Sequence, residues 1–269
     1  MSSIRPAAVA GFFYPADAST LARDVAAMLA QAHPAGSAAV PKAIIAPHAG
    51  YVYSGPIAAS AYVTLRPARD RIRRVVLLGP THRTPVRGLA VPAAAAFASP
   101  LGTVAIDRDA IARVADLPQV VVSDSVHALE HSLEVHLPFL QSVLDSFSLV
   151  PFAVGRASPE EVAEVLDRLW GGEETLILVS SDLSHYLPYA VARETDRKTV
   201  DSILNLDAAI DHEQACGGTP VNGLLLAARR HGLHPHVLDL RNSGDTAGDR
   251  NRVVGYCSVA FDESFGHDA

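Results

Sequence analysis

The run Leu176-Ile177-Leu178-Val179-Ser180-Ser181-Asp182-Leu183-Ser184-His185 decides how the rest of the chain is read. Its first half is short, branched, apolar and unbroken by charge, the pattern of a strand buried on both faces of a mostly parallel sheet. Its second half delivers an aspartate and a histidine where that strand ends. Two other runs have the same form: Ala43-Ile44-Ile45-Ala46-Pro47-His48 and Val75-Val76-Leu77-Leu78-Gly79-Pro80-Thr81-His82. In such sheets ligands sit outside the carboxyl ends of the strands. Three strands bringing His48, His82 and Asp182-x-x-His185 to one edge predict a convergent polar site, and the donor types point to a metal.

Around these strands the pattern alternates between strand and helix. Helices are expected over 19–32, 54–65, 109–116, 130–144, 190–205 and 220–230, with a shorter one between the last two. Ser158-Pro159-Glu160-Glu161 opens another, with a serine cap, proline at its first position and acids in its first turn. Further strands are expected over 88–92 (a short edge strand), 148–154, 234–240 and 252–261. Pro34 to Ser37 reads as a connector, and 262–269 as a polar, frayed tail. No linker interrupts the alternation, so residues 1–269 are expected to form a single α/β domain, with a central mostly parallel or mixed sheet flanked by helices.

Composition narrows the function. The 269 residues are 49% hydrophobic and 19% charged, which suits a well-buried globular core and not a disordered chain. The net charge is −7 and the one cluster of arginines, 66–74, is interrupted, so nucleic acid is not an expected partner. No apolar stretch reaches the ~20 residues of a membrane span, and no signal peptide is expected. Two cysteines without a secretory signal suggest free thiols in a reducing, cytoplasmic setting.

Each candidate residue has a plain alternative. His48 and His82 follow proline-containing turns; either one alone reads as a turn histidine bonded to a carbonyl, but two in the same context make a plausible half-site for a metal. Asp182 and His185, at i and i+3, share a face if they lie on one helical turn; Asp182 is then either an orienting partner of His185 or a helix N-cap. Cys216 precedes a helix whose N-terminus favours thiolate, the form that binds metals and reacts, although most free cysteines are buried hydrophobes. Cys257, in an apolar strand, fits the latter. The segment Glu130-His131-Ser132-Leu133-Glu134-Val135-His136 lacks the His-Glu-x-x-His spacing; His131 and Glu134 are read as supporting the site from behind its ligands. His33, His127, His212, His231, His234, His236 and His267 have no context that singles them out. Nucleophile elbows, phosphate-cradling loops, dinucleotide fingerprints and Cys-x-x-Cys pairs are absent.

The blocks Gly11-Phe12-Phe13-Tyr14-Pro15, Ile44 to Tyr51, Leu78 to His82, Glu130 to Pro138, Val179 to His185 and Cys216 to Val221 resemble, in order, those of the Memo family, whose bacterial and archaeal members are called AmmeMemoRadiSam system protein B. That family is similar to class III extradiol dioxygenases, non-haem iron enzymes on an α/β fold. The resemblance implies His48, His82 and Cys216 as metal ligands, with Cys216 in place of the dioxygenases' glutamate, His185 as acid/base and Asp182 as a further site residue. It implies Fe(II), with copper or zinc as alternatives because thiolate is a softer donor. The implied function is a metal-dependent, dioxygenase-like oxidoreductase acting on a small molecule. The alternative is a non-catalytic metal-binding or peptide-binding adaptor protein using the same pocket. The family name also implies an AMME-domain protein and a radical SAM protein as partners.

Overall fold

The computed structural model describes residues 3–34 and 40–263. Most of the 34–37 connector and of the expected tail lies outside the described residues. The chain runs β1 (Ile4–Arg5), α1 (Ala18–Gln31), β2 (Ala43–Ala46), α2 (Tyr51–Tyr62), β3 (Arg74–Pro80), β4 (Leu89–Val91), β5 (Ala96–Ser99) and β6 (Gly102–Ala105). It continues through α3 (Arg108–Ala112), β7 (Val120–Val122), α4 (Asp124–Ala128), α5 (Leu137–Val143), β8 (Ser148–Val154) and α6 (Pro159–Leu169). The last elements are β9 (Thr175–Ser180), β10 (His185–Leu187), α7 (Tyr189–Leu204), α8 (Gly218–Arg230), β11 (Leu233–Asn242) and β12 (Val253–Glu263).

The large sheet has the order β10-β12-β2-β9-β3-β8-β4-β7, with β11 also paired to β12. Its centre, β2-β9-β3-β8, is parallel, and its flanks turn antiparallel where β12 meets β2 and β4 meets β8. The sheet is therefore mixed. Every residue of β2 and β9 is buried, which is why those runs carry no charge. α2 packs on β2 and β12 with α1 beside it, while α8 packs on β9 and β3 with α6 beside it. One hydrophobic cluster extends from Val9 to Phe261 through these layers. Local signals agree with the packing: Leu21, Val25 and Leu29 form the buried stripe of α1, and Ser158 and Glu161 close a capping box on α6. No described helix is long and apolar enough to cross a membrane.

Several expectations are corrected. The helix expected over 130–144 begins only at Leu137, after a 3₁₀ turn at Glu134–His136. The Glu130 carboxylate accepts the backbone N–H groups of His131 and Ser132, which holds that stretch in a loop. β4 is not an edge strand, because β7 pairs along its other side. No helix forms between α7 and α8; residues 212–214 make only a turn. Asp182 and His185 do not share a helical turn: 181–184 is irregular and His185 opens β10. The separate sheet β1-β5-β6 has no counterpart among the expected strands.

Candidate metal centre

β2, β9 and β3 lie side by side and parallel, with Ala46 level with Ser180 and Leu78 level with Val179. Each strand ends two residues before a polar side chain: His48 after Ala46, Asp182 after Ser180 and His82 after Pro80. The predicted strand-end convergence of His48 and His82 is therefore built into the register, and their ring centroids lie 5.1 Å apart. Asp182 follows the middle strand and ties its neighbour's turn in place. Its Oδ1 accepts the His48 backbone N–H at 2.8 Å, and the Ala49 N–H also bonds to it.

Both histidines have one ring nitrogen committed outward. Ser180 Oγ donates its only proton to the Ser132 carbonyl (2.7 Å), so it must accept from His48 Nδ1–H at 2.6 Å. His82 Nδ1 lies 2.9 Å from Glu130 Oε1, a carboxylate that can only accept. In each ring the proton is thus on Nδ1 and the Nε2 lone pair is left for an ion. Carboxylates and hydroxyls bonded this way fix tautomer and ring orientation in metal sites.

A third imidazole joins them. His131, read from the sequence as supporting the site from behind, lies with His48 and His82 in a group whose ligand atoms are all within 4.8 Å of one another. Its Nδ1 is 3.3 Å from the same Glu130 Oε1. The 130–133 loop comes close because Gly79 has no side chain: a Cβ there would stand 2.9 Å from both Ser132 Oγ and Leu133 Cδ2. Ser132 Oγ then bonds the Pro80 carbonyl. The signal in the sequence was the Glu130-His131 pair itself, one carboxylate beside a ligand-type residue, but helical spacing does not reveal it because the stretch is a loop.

Cys216 also reaches His48, its Sγ 3.3 Å from His48 Nε2, but it is not one of the three residues whose ligand atoms all lie within 4.8 Å of one another. Gly217 permits the approach to His48, since a Cβ would lie 2.6 Å from the Ser180 carbonyl oxygen and from Ser181 Cβ. The expected thiolate is corrected. Burial, and then the Asp182 carboxylate, push the Cys216 thiol up to about 12, outweighing its place before α8. Cys257 is fully buried, and burial raises it too.

Burial governs the other charges. It drives His48 well below its ordinary value and His131 down to about 4, and neighbouring histidines add to both shifts. Burial raises Asp182 to about 7 against the opposing backbone hydrogen bonds. Glu130 goes the other way: burial raises it, but the combined bonds from His82 and Ser132 hold it at about 2. Burial thus keeps His48 and His131 neutral beside an ionised carboxylate.

The remaining candidates lie elsewhere. His185 is half-buried, and burial, with a smaller effect from His82, lowers it below its ordinary value; its ring packs edge-on to Tyr186. Asp182 directs its carboxylate to the 48–49 turn and lies 3.9 Å from His48 Nε2, not on His185 as expected. Glu134 does not face the site. It pairs with Arg5 at 2.6 Å and accepts from Ala8 N, Val9 N and Tyr14 Oη, clamping the N-terminal segment to the 130–136 stretch. Phe13 completes this clamp against the His131 ring at 4.6 Å. His136 bonds Tyr62 Oη.

Residues 5–260 match the family described as Memo-like protein. A MEMO1 family protein of Ignicoccus hospitalis is 37% identical, covering 96% of this chain and 98% of the relative. One from Methanothermobacter thermautotrophicus is 35% identical over 96% of this chain and 100% of its own length. A crystal structure of an uncharacterized protein from Escherichia coli K12 is similar with a TM-score of 0.49 and 16% identity, over 81% of this chain and 98% of that one.

Proposed function

Because the chain belongs to the Memo-like protein family, we propose that the strand-end cluster is a metal centre held by His48 and His82, with His131 and Cys216 as the further donors, and that it serves redox chemistry on a small molecule. The observation that carries this reading is three imidazoles with ligand atoms within 4.8 Å of one another, whose Nδ1 atoms face Ser180 and Glu130. The donor set fits a metal: His48 and His131, which burial keeps neutral, lose little by offering a lone pair and much by taking a proton. Fe(II) is the ion the resemblance to extradiol dioxygenases favours, with copper or zinc accepted by the same donors. Bound there, Fe(II) or copper would supply electron transfer to dioxygen, whereas zinc would supply Lewis acidity alone.

The chain's own residues would do the rest. Cys216 becomes an anionic donor only by giving up its proton, so its ligation is linked to proton release. Asp182, held at about 7, can take or give a proton near neutral pH, at 3.9 Å from His48 Nε2. His185, neutral and half-buried, accepts a proton from a bound substrate. On this reading the protein works in the cytoplasm, with the AMME-domain and radical SAM proteins of the family's bacterial name as partners.

The test is metal analysis of protein purified without oxygen, followed by oxygen-uptake assays with candidate substrates. His82→Ala should abolish metal retention. His131→Ala and Cys216→Ser should each weaken it, and His185→Ala should leave metal content intact while removing turnover. Full metal content in His82→Ala would end the proposal.

A further inference from the structure

Away from the strand ends, the first turns of α7 line a cavity of about 610 Å³ shared with β11 and the 242–245 turn. Arg193 and Arg197 line it from positions i and i+4, a spacing at which like charges repel and disfavour the helix. Neither has a hydrogen-bond or ion-pair partner among the described residues; Arg193 only lies 5.8 Å from the Tyr189 ring. Arg250 stands 4.5 Å from the same ring and bonds no carboxylate among those residues. Two guanidiniums, those of Arg193 and Arg250, thus lie near one tyrosine, with Arg197 one turn further along α7, in a chain whose net charge is −7.

Most of the carboxylate oxygens nearby are already paired. Asp245 accepts from Tyr189 Oη at 2.5 Å and from Asn242 N at 3.1 Å. Glu194 pairs with Lys198 at 2.8 Å, and Asp239 takes both ends of Arg241. Asp196 accepts from Ser184 N, and its Oδ2 lies where a Cβ on Gly255 would stand, turned toward β12. The whole side chains left unmatched at the cavity are Arg193 and Arg197, against one carboxylate oxygen, Asp196 Oδ2, buried without a hydrogen-bond partner.

We infer that this cavity binds a small anion carrying at least two phosphate or carboxylate groups. Guanidinium forks match the paired oxygens of either group, and unpaired arginines gain most from such a partner. The volume lies within the range of small-molecule sites. The inference stands apart from the metal centre, since the cavity contains none of His48, His82, His131 or Cys216.

The experiment is calorimetric titration with pyrophosphate and with citrate at constant ionic strength, on the protein as purified and again after metal removal. Saturable binding is expected in both preparations. The double variant Arg193→Ala/Arg197→Ala should weaken it by about ten-fold or more, equivalent to ~1.4 kcal/mol. Arg193→Lys/Arg197→Lys should fall between, because lysine keeps the charge without the fork. Arg23→Ala, on an exposed helix face elsewhere, should change nothing. Binding of pyrophosphate alone assigns a phosphate ligand, and of citrate alone a carboxylate one. No binding of either, or equal binding by wild type and the double alanine variant with unchanged circular dichroism, overturns the inference.

Discussion

Glu130 does the work of several residues. One buried carboxylate orients His82 through Nδ1, holds the His82 backbone N–H, and fixes the turn that presents His131. Glu130→Gln keeps the shape but replaces one acceptor oxygen with a donor, setting an N–H against groups that can only donate. Metal affinity should fall by about 10–100-fold, the usual effect of losing an orienting partner behind a ligand. Chelator competition with zinc measures it, and an unchanged affinity would mean that His82 is oriented by something else. The cysteines supply a second prediction. Both thiols are raised by burial, so neither is a ready thiolate at neutral pH, and exposure alone separates them. Cys216 should alkylate slowly in the folded, metal-free protein and Cys257 only on unfolding, with zinc protecting Cys216. Mass-spectrometric time courses showing equal labelling of both would contradict this.

At the scale of elements, the site depends on how closely loops approach strand ends. Gly217 lets the turn before α8 rest on the Ser180 carbonyl, and that approach puts Cys216 beside His48. Gly217→Ala forces the turn outward. Overpacking of this kind costs about 1–3 kcal/mol, so the urea midpoint should drop and the Cys216 contribution to metal binding should vanish. A double variant Gly217→Ala/Cys216→Ser that binds zinc more weakly than Gly217→Ala alone would show that the thiol still reaches the ion. The elements themselves were largely legible. The strands 74–79, 148–154 and 175–180 and the capped helix at Ser158 appear close to where their patterns place them. The errors fall where side chains compete with the backbone, as Glu130 does over 130–133, or where short strands such as β5 and β6 depend on a distant partner, here β1.

For the whole molecule, buried histidines set the response to acid. Burial lowers His127 and His131 to about 4, His136 to about 3, and His48 well below its ordinary value. A histidine with a depressed folded pKa binds fewer protons folded than unfolded, so its contribution is intact above about 6.5 and lost as pH falls toward the folded value. Asp182 and Asp196, raised to about 7 and about 6 mainly by burial, act in the opposite sense, losing stability as pH rises from about 4. With His185, also lowered by burial, five histidines oppose two carboxylates. Metal-free protein should therefore lose stability between about pH 6.5 and 4, with a slope of up to ~1.4 kcal/mol per pH unit for each histidine left unbalanced. Urea unfolding at a series of pH values checks it, and a midpoint that rises on acidification would refute the balance.

Read alone, the sequence determined which strands are buried on both faces and which residues follow their ends. Apolar runs without charge have no stable place but the middle of a sheet, and parallel strands share one carboxyl edge. His48, His82 and Asp182 were therefore visible as strand-end residues. Only the tertiary structure decided what joins them. His131 and Cys216 reach His48 through the close packing of loops distant in sequence, over Gly79 and beside Gly217, and no periodicity encodes a contact between chain segments 83 or 168 residues apart. The ionisation of the site was hidden for the same reason. Whether a thiol is a thiolate, or an aspartate holds its proton near neutral pH, depends on burial and on charges brought close only by the fold.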